Sequence, residues 1–144
     1  MTTLNIPAYD PENIFSKIIA GDIPSHKVYE DDDTFVFMDI MPRADGHMLV
    51  IPKTGARNIL DIAPETLTKV ILVTQKMAKA AMTALDADGI TLSQFSEPAG
   101  GQEVYHLHFH VIPRKQGVTM KPPASFQEDH GKLAEIAEKI RAAL

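Results

Sequence analysis

Six consecutive residues, His106-Leu107-His108-Phe109-His110-Val111, alternate imidazole with apolar side chains. A period of two belongs to an extended strand, whose successive side chains leave opposite faces. Leu107, Phe109 and Val111 must then pack on a core, while His106, His108 and His110 share the other face, about 6.6 Å apart at about 3.3 Å rise per residue. Exposed strand faces draw mainly on Thr, Lys, Glu and Ser, so plain solvation is a poor account of three histidines. The spacing suits one small reacting group, and the rest of the chain has to supply a sheet and a cavity around it.

The flanking patterns supply that sheet. Asp10-Pro11 reads as an N-cap and first helical position, with Ile14, Phe15, Ile18 and Ile19 on one face and Gly21 as the stop. Lys27 to Glu30 and Thr34 to Asp39 read as an antiparallel hairpin around the acidic turn Asp31 to Asp33; His47 to Ile51, closed by Pro52, reads as a third strand. Pro64 opens the longest helical pattern, in which Leu67, Val70, Ile71, Thr74, Met77, Ala78, Ala81 and Leu85 recur up to Asp88-Gly89. Ile90 to Phe95 and Val104 to Ile112 are predicted as strands around the loop Ser96 to Gln102, where Gly100 and Gly101 permit close approach of backbone to a ligand. Beyond a proline-rich stretch over 113–127, Leu133, Ile136, Ala137 and Ile140 mark a C-terminal helix. The order of elements predicts an α+β domain, an antiparallel sheet with the long helix packed across it.

Composition narrows the function. With 144 residues, 44% hydrophobic and 23% charged, the chain reads as one domain over residues 1–144. A domain of that size buries roughly 70% of its unfolded surface without metal or disulfide staples. A net charge of −5 has the wrong sign for gripping extended nucleic acid, though a single nucleotide stays open. The absence of Cys excludes disulfides, thiol nucleophiles and Cys-based zinc sites. No apolar run approaches about 20 residues and residues 1–10 carry no basic-then-apolar leader, so a cytoplasmic protein without a membrane partner is expected.

Two chemistries remain for the histidine face. Alternating histidines ligate zinc through neutral nitrogens, but there is no His-Glu-x-x-His helix, so a metal would have to recruit His47 or a carboxylate. The other is a histidine nucleophile or base, because imidazole titrates near neutrality and attacks phosphorus or carbonyl centres when neutral. Ser93 and Ser96 lack the Gly-x-Ser-x-Gly context of a serine nucleophile. A glycine-rich loop just before the histidines suggests a phosphate held by backbone N–H groups.

The segment YHLHFHVI, Tyr105 to Ile112, preceded by GGQ, Gly100 to Gln102, resembles the histidine-triad (HIT) family in its small Hint-like branch of nucleotide phosphoramidases and hydrolases. Asn13 to Lys53, NIFSKIIAGDIPSHKVYEDDDTFVFMDIMPRADGHMLVIPK, is similar to the family's opening helix and first strands. The resemblance covers residues 13–113; residues 114–144 match weakly and form a variable segment with a helix. It implies a HIT-like fold, a homodimer, a purine nucleotide (AMP or GMP) as ligand, and neither metal nor other cofactor. It also implies that His108 attacks the α-phosphate of a purine nucleoside 5′-phosphoramidate, giving a covalent nucleotidyl-histidine from which water releases the nucleoside monophosphate. His106 would orient His108, and His110 and His47 would join the network around phosphate and leaving group. By the same resemblance Asp39 binds the ribose hydroxyls, Phe15, Ile18, Ile23, Phe37 and Ile40 form the base cleft, and Gln102 contacts phosphate.

The chain departs from its relatives at four places. Glu103 stands where they carry Ser or Thr, and its carboxylate would repel a phosphate if it pointed inward. Phe95-Ser96 replaces a loop Asn, and Asn13 and Ser16 stand where some bacterial-type relatives carry a Cys-x-x-Cys pair, which implies that a structural zinc of that kind is absent. His110 is retained where hexose-phosphate uridylyltransferase relatives have Gln, which favours hydrolysis over transfer. Two other functions stay open in the sequence: dinucleoside polyphosphate hydrolysis by the same histidine, and nucleotide binding or scaffolding with little catalysis.

Overall fold

In the computed structural model, which describes residues 4–144, the first helix starts later than Asp10-Pro11 suggests: α1 spans Ile14–Ala20. Asn13 is the cap, its side-chain oxygen accepting from Ser16 N–H at 3.0 Å, whereas the Asp10 carboxylate accepts from Glu12 N–H. The Asn13 amide also reaches the Asp10 carbonyl and the Tyr9 hydroxyl, so the preceding turn is tied down before the helix begins. Gly21, at φ +85°, ends α1 in the left-handed conformation that glycine tolerates.

Five strands follow, β1 Lys27–Glu30, β2 Thr34–Met38, β3 Met48–Pro52, β4 Gly89–Ser93 and β5 Phe109–Arg114, with helices α2 Pro64–Ala84 and α3 His130–Ala142. They form one antiparallel sheet in the order β1-β2-β3-β5-β4. α2 and α3 cover one face, where Val36, Met38, Met48, Val50, Phe109 and Val111 meet Val70, Met77, Leu133 and Ile140. On the other face Phe35, Phe37, Leu49 and Ile51 pack with Phe15 and Ile18 of α1. Every residue of β2 and β3 is therefore buried, which is why both read as continuous apolar runs. No helix among the described residues is long and apolar enough to cross a membrane.

The histidine strand is shorter at its start than its alternation predicts. Ladder pairing between β3 and β5 covers Met48↔Val111, Leu49↔His110 and Val50↔Phe109 and then stops. Two steps further along β3 stands Pro52, which has no N–H to give, and Leu107 N–H instead bonds the Ala56 carbonyl at 2.8 Å. Residues 104–108 thus lie outside the sheet, while β5 continues through Pro113 on a stretch paired with β4 alone. Ile90 to Phe95 shifts similarly, β4 running from Gly89 to Ser93.

Candidate active site

His108 sits at the end of this unpaired stretch, 8% exposed, with Nδ1 2.7 Å from the carbonyl oxygen of His106. A carbonyl only accepts, so Nδ1 carries the proton and a neutral His108 has its lone pair on Nε2. The ladder's early end leaves that carbonyl for His108. Orientation of His108 therefore comes from the backbone of His106. The His106 ring lies behind the cavity, 1% exposed, Nε2 2.8 Å from the Pro52 carbonyl and Nδ1 2.7 Å from the Tyr9 hydroxyl. The His106 ring is not among the residues that line the cavity, and its place behind His108 suits the orienting part that the resemblance implies.

A second chain of bonds fixes the other two histidines. His47 immediately precedes β3 and is almost fully buried; its Nδ1 accepts from Arg43 N–H at 3.1 Å. Its proton is then on Nε2, 2.8 Å from Nδ1 of His110 and 3.5 Å from Asp39 Oδ2. His110, on β5 opposite Leu49 and Ser93, consequently accepts at Nδ1 and carries its own proton on Nε2. Burial, with the positive Arg43 and His108 nearby, pulls His47 down to about 3; burial first, then His108, His47 and Arg43, does the same to His110. Burial lowers His108 as well, opposed by its bond to the His106 carbonyl. All three are neutral at pH 7. Asp39, just past β2, is pushed up to about 6 by burial, against the pull of Met41 N–H.

These groups line one cavity of about 540 Å³. His108, His110, His47 and Asp39 line it with polar groups, and Phe15, Ile18, Ile23, Phe37 and Ile40 line it with apolar ones, so the structure brings these nine residues to one cavity. Phe15 stacks edge-on to His108 at 5.0 Å, and Phe95 edge-on to His110 at 5.6 Å. Pro123 and Ala124, from the weakly matching segment, also line the cavity, held there by Lys121 N–H on the Arg43 carbonyl and Glu128 N–H on the Ile40 carbonyl. Glu103 is exposed at the rim.

Gln102 and the glycine loop behave differently from the expectation of phosphate contacts. The Gln102 side chain accepts from Asn58 Nδ2 and Glu97 N–H and donates to the carbonyls of Arg57 and Val104, so its amide is fully occupied within the protein. The N–H groups of Gly100, Gly101 and Gln102 are bonded back to Glu97 and Pro98 in a 3-10 turn and do not form a phosphate cradle. Glu97 holds this turn at φ +66°, a strained conformation for a side-chain-bearing residue, clamped by Arg57 at 2.7 and 3.0 Å and by Asn58 at 2.7 Å. Arg57, Asn58 and Glu97 carried no signal in the sequence beyond ordinary loop polarity.

The donor sets do not fit a metal. Asp39, His47 and His110 offer ligating atoms within 4.8 Å of one another. A neutral imidazole giving Nε2 to a metal carries its proton on Nδ1, however, and in His47 that proton would meet the Arg43 N–H. At the other candidate place Asn13 and Ser16 supply an amide and a hydroxyl where zinc wants thiolates.

An unprotonated imidazole nitrogen thus faces a cavity lined by apolar side chains and by the carboxylates of Asp39 and Glu103, beside an antiparallel α+β sheet. A HIT domain match spans residues 20–117, and the chain belongs to the HIT domain family. It is 36% identical to the adenosine 5′-monophosphoramidase of Saccharomyces cerevisiae over 147 aligned residues, covering 99% of this chain and 90% of that one. A Hit-like protein from Bartonella henselae, described as involved in cell-cycle regulation, superposes with a TM-score of 0.92 at 56% identity over 96% of this chain and 100% of its own. A zinc-bound histidine triad protein from Mycobacterium smegmatis has a TM-score of 0.80 at 37% identity, with 92% of each chain covered.

Proposed function

We propose that this chain hydrolyses purine nucleoside 5′-phosphoramidates through a nucleotide bound covalently to His108. The observation that carries the reading is the bond from His108 Nδ1 to the His106 carbonyl, which leaves Nε2 unprotonated in the cavity. The Nε2 lone pair forms a bond to the α-phosphorus as the phosphorus–nitrogen bond breaks; the amine leaves with the bonding pair after its nitrogen has taken a proton from solvent, while His110 Nε2–H hydrogen-bonds the phosphoryl group and keeps its proton. Water then attacks phosphorus and gives up a proton to solvent; the phosphorus–His108 bond breaks with its electron pair returning to the ring. Splitting one displacement into two in this way suits a neutral nucleophile beside a fixed donor.

A cavity of about 540 Å³ falls within the range of about 300–1,000 Å³ usual for small-molecule sites. The apolar side takes the base, and Asp39, ionised at pH 7, accepts from the ribose hydroxyls. The name of the yeast relative supports an adenosine phosphoramidate as the first substrate to try. The test is release of AMP from adenosine 5′-phosphoramidate by the wild type and by His108→Ala. Turnover lost in the variant while AMP binding is kept supports the reading. Turnover kept in the variant overturns it, and AMP binding without turnover by the wild type points to a binding protein.

A further inference from the structure

We propose that Tyr9 is a positioning residue for His108, acting through His106. The proposal rests on the reading above for turnover alone; its structural arm does not. The His106 ring is sealed from solvent and bonded at both nitrogens. Because the Pro52 carbonyl can only accept, Nε2 holds the proton, and Nδ1 must accept from the Tyr9 hydroxyl at 2.7 Å. That hydroxyl accepts in turn from Ser16 Oγ at 2.6 Å and Asn13 Nδ2 at 2.9 Å. One carbonyl thus sets the direction of the whole chain, Ser16 to Tyr9 to His106 to Pro52.

The Tyr9 ring has a built seat. It lies against Gly55, where a Cβ would fall 2.4 Å from Cε2, so a side chain there would expel it. It meets the His106 ring edge-on at 5.6 Å, and Phe15 closes the far side of both histidines, at 6.4 Å from His106 and 5.0 Å from His108. A His106 ring that cannot turn holds its own backbone, and the carbonyl on that backbone is the acceptor that aims His108.

Tyr9→Phe keeps the ring and removes the hydroxyl. The expected result is a fall in kcat of about tenfold with KM unchanged, the scale of one lost buried hydrogen bond. Nitrogen NMR of the substrate-free protein should show His106 as the Nε2–H form in the wild type, with the Nδ1 signal displaced in Tyr9→Phe and displaced less in Ser16→Ala. A Tyr9→Phe protein with wild-type kcat, or with unmoved His106 signals, overturns the proposal, and a lowered melting temperature accompanied by neither change assigns Tyr9 to packing. If the wild type turns over no phosphoramidate, the NMR arm still decides between a clamped and an unclamped His106.

Discussion

The Arg43 N–H donates to His47 and cannot give its proton away, so it fixes the tautomers of His47 and His110 down to the proton His110 presents to the cavity. Asp39 adds a group that titrates near pH 6. Its carboxylate, raised from its ordinary value to about 6, loses its charge as pH falls through that value, and binding of ribose hydroxyls weakens with it. The acid limb of kcat/KM should therefore contain a component near pH 6 that vanishes in Asp39→Asn, whose kcat/KM is lower and keeps only the limb set by His108. The limb in kcat, set by His108 with its lowered pKa, should fall below 6.5; a kcat limb above 6.5 would contradict the burial of the nucleophile. The run of three histidines was legible in the sequence because its alternation puts imidazoles on one face, whereas Asp39 and His47 were placed at the site by the family resemblance alone. Arg43 and His106 act through a backbone N–H and a backbone carbonyl, which no residue type announces, and Tyr9 reaches His106 across 97 positions.

Among the elements, the turn between β4 and β5 separates a structural role from a ligand role. Gln102 satisfies four partners in that turn, and removing its amide leaves buried donors and acceptors unpaired. Gln102→Ala is expected to lose about 1–3 kcal/mol of stability in urea unfolding, the cost of unmet buried polar groups. A variant with unchanged stability and weakened substrate binding would restore the phosphate-contact reading. Helices α2 and α3 were legible because their apolar positions repeat at helical spacing and are packed on the sheet. The start of β5 was not, since alternation reports which way side chains point and is silent on whether a neighbouring strand is there to pair. Pro52 and the Ala56 carbonyl decide that, from a distant part of the chain. The start of α1 moved for a related reason: Asn13 competes with Asp10 for the cap, and its extra bonds to Tyr9 and Asp10 tip the choice.

At the scale of the molecule, burying neutral histidines ties stability to pH. His47 and His110, held at about 3 against an ordinary 6.5, bind protons more readily when unfolded, so acidification from 6.5 towards 3 favours unfolding. Asp39 works the other way between 3.8 and about 6, but it is one group against two. The melting temperature should fall as pH drops from 6.5 to 4.5, and less steeply in His110→Gln; a rise over that interval would contradict the buried neutral pair. The resemblance also implies a homodimer, and β4 is a free sheet edge with Leu92 49% exposed. Sedimentation should give twice the chain mass in the wild type and a shift towards monomer in Leu92→Lys. The central claim, a nucleotide carried on His108, is read most directly by rapid-quench mass spectrometry of the protein during its first turnover of adenosine 5′-phosphoramidate. One adenylyl group that rises and decays on His108, and is absent in His108→Ala, is the predicted result. AMP release with no adduct at any time in that turnover, or an adduct on another residue, would contradict it.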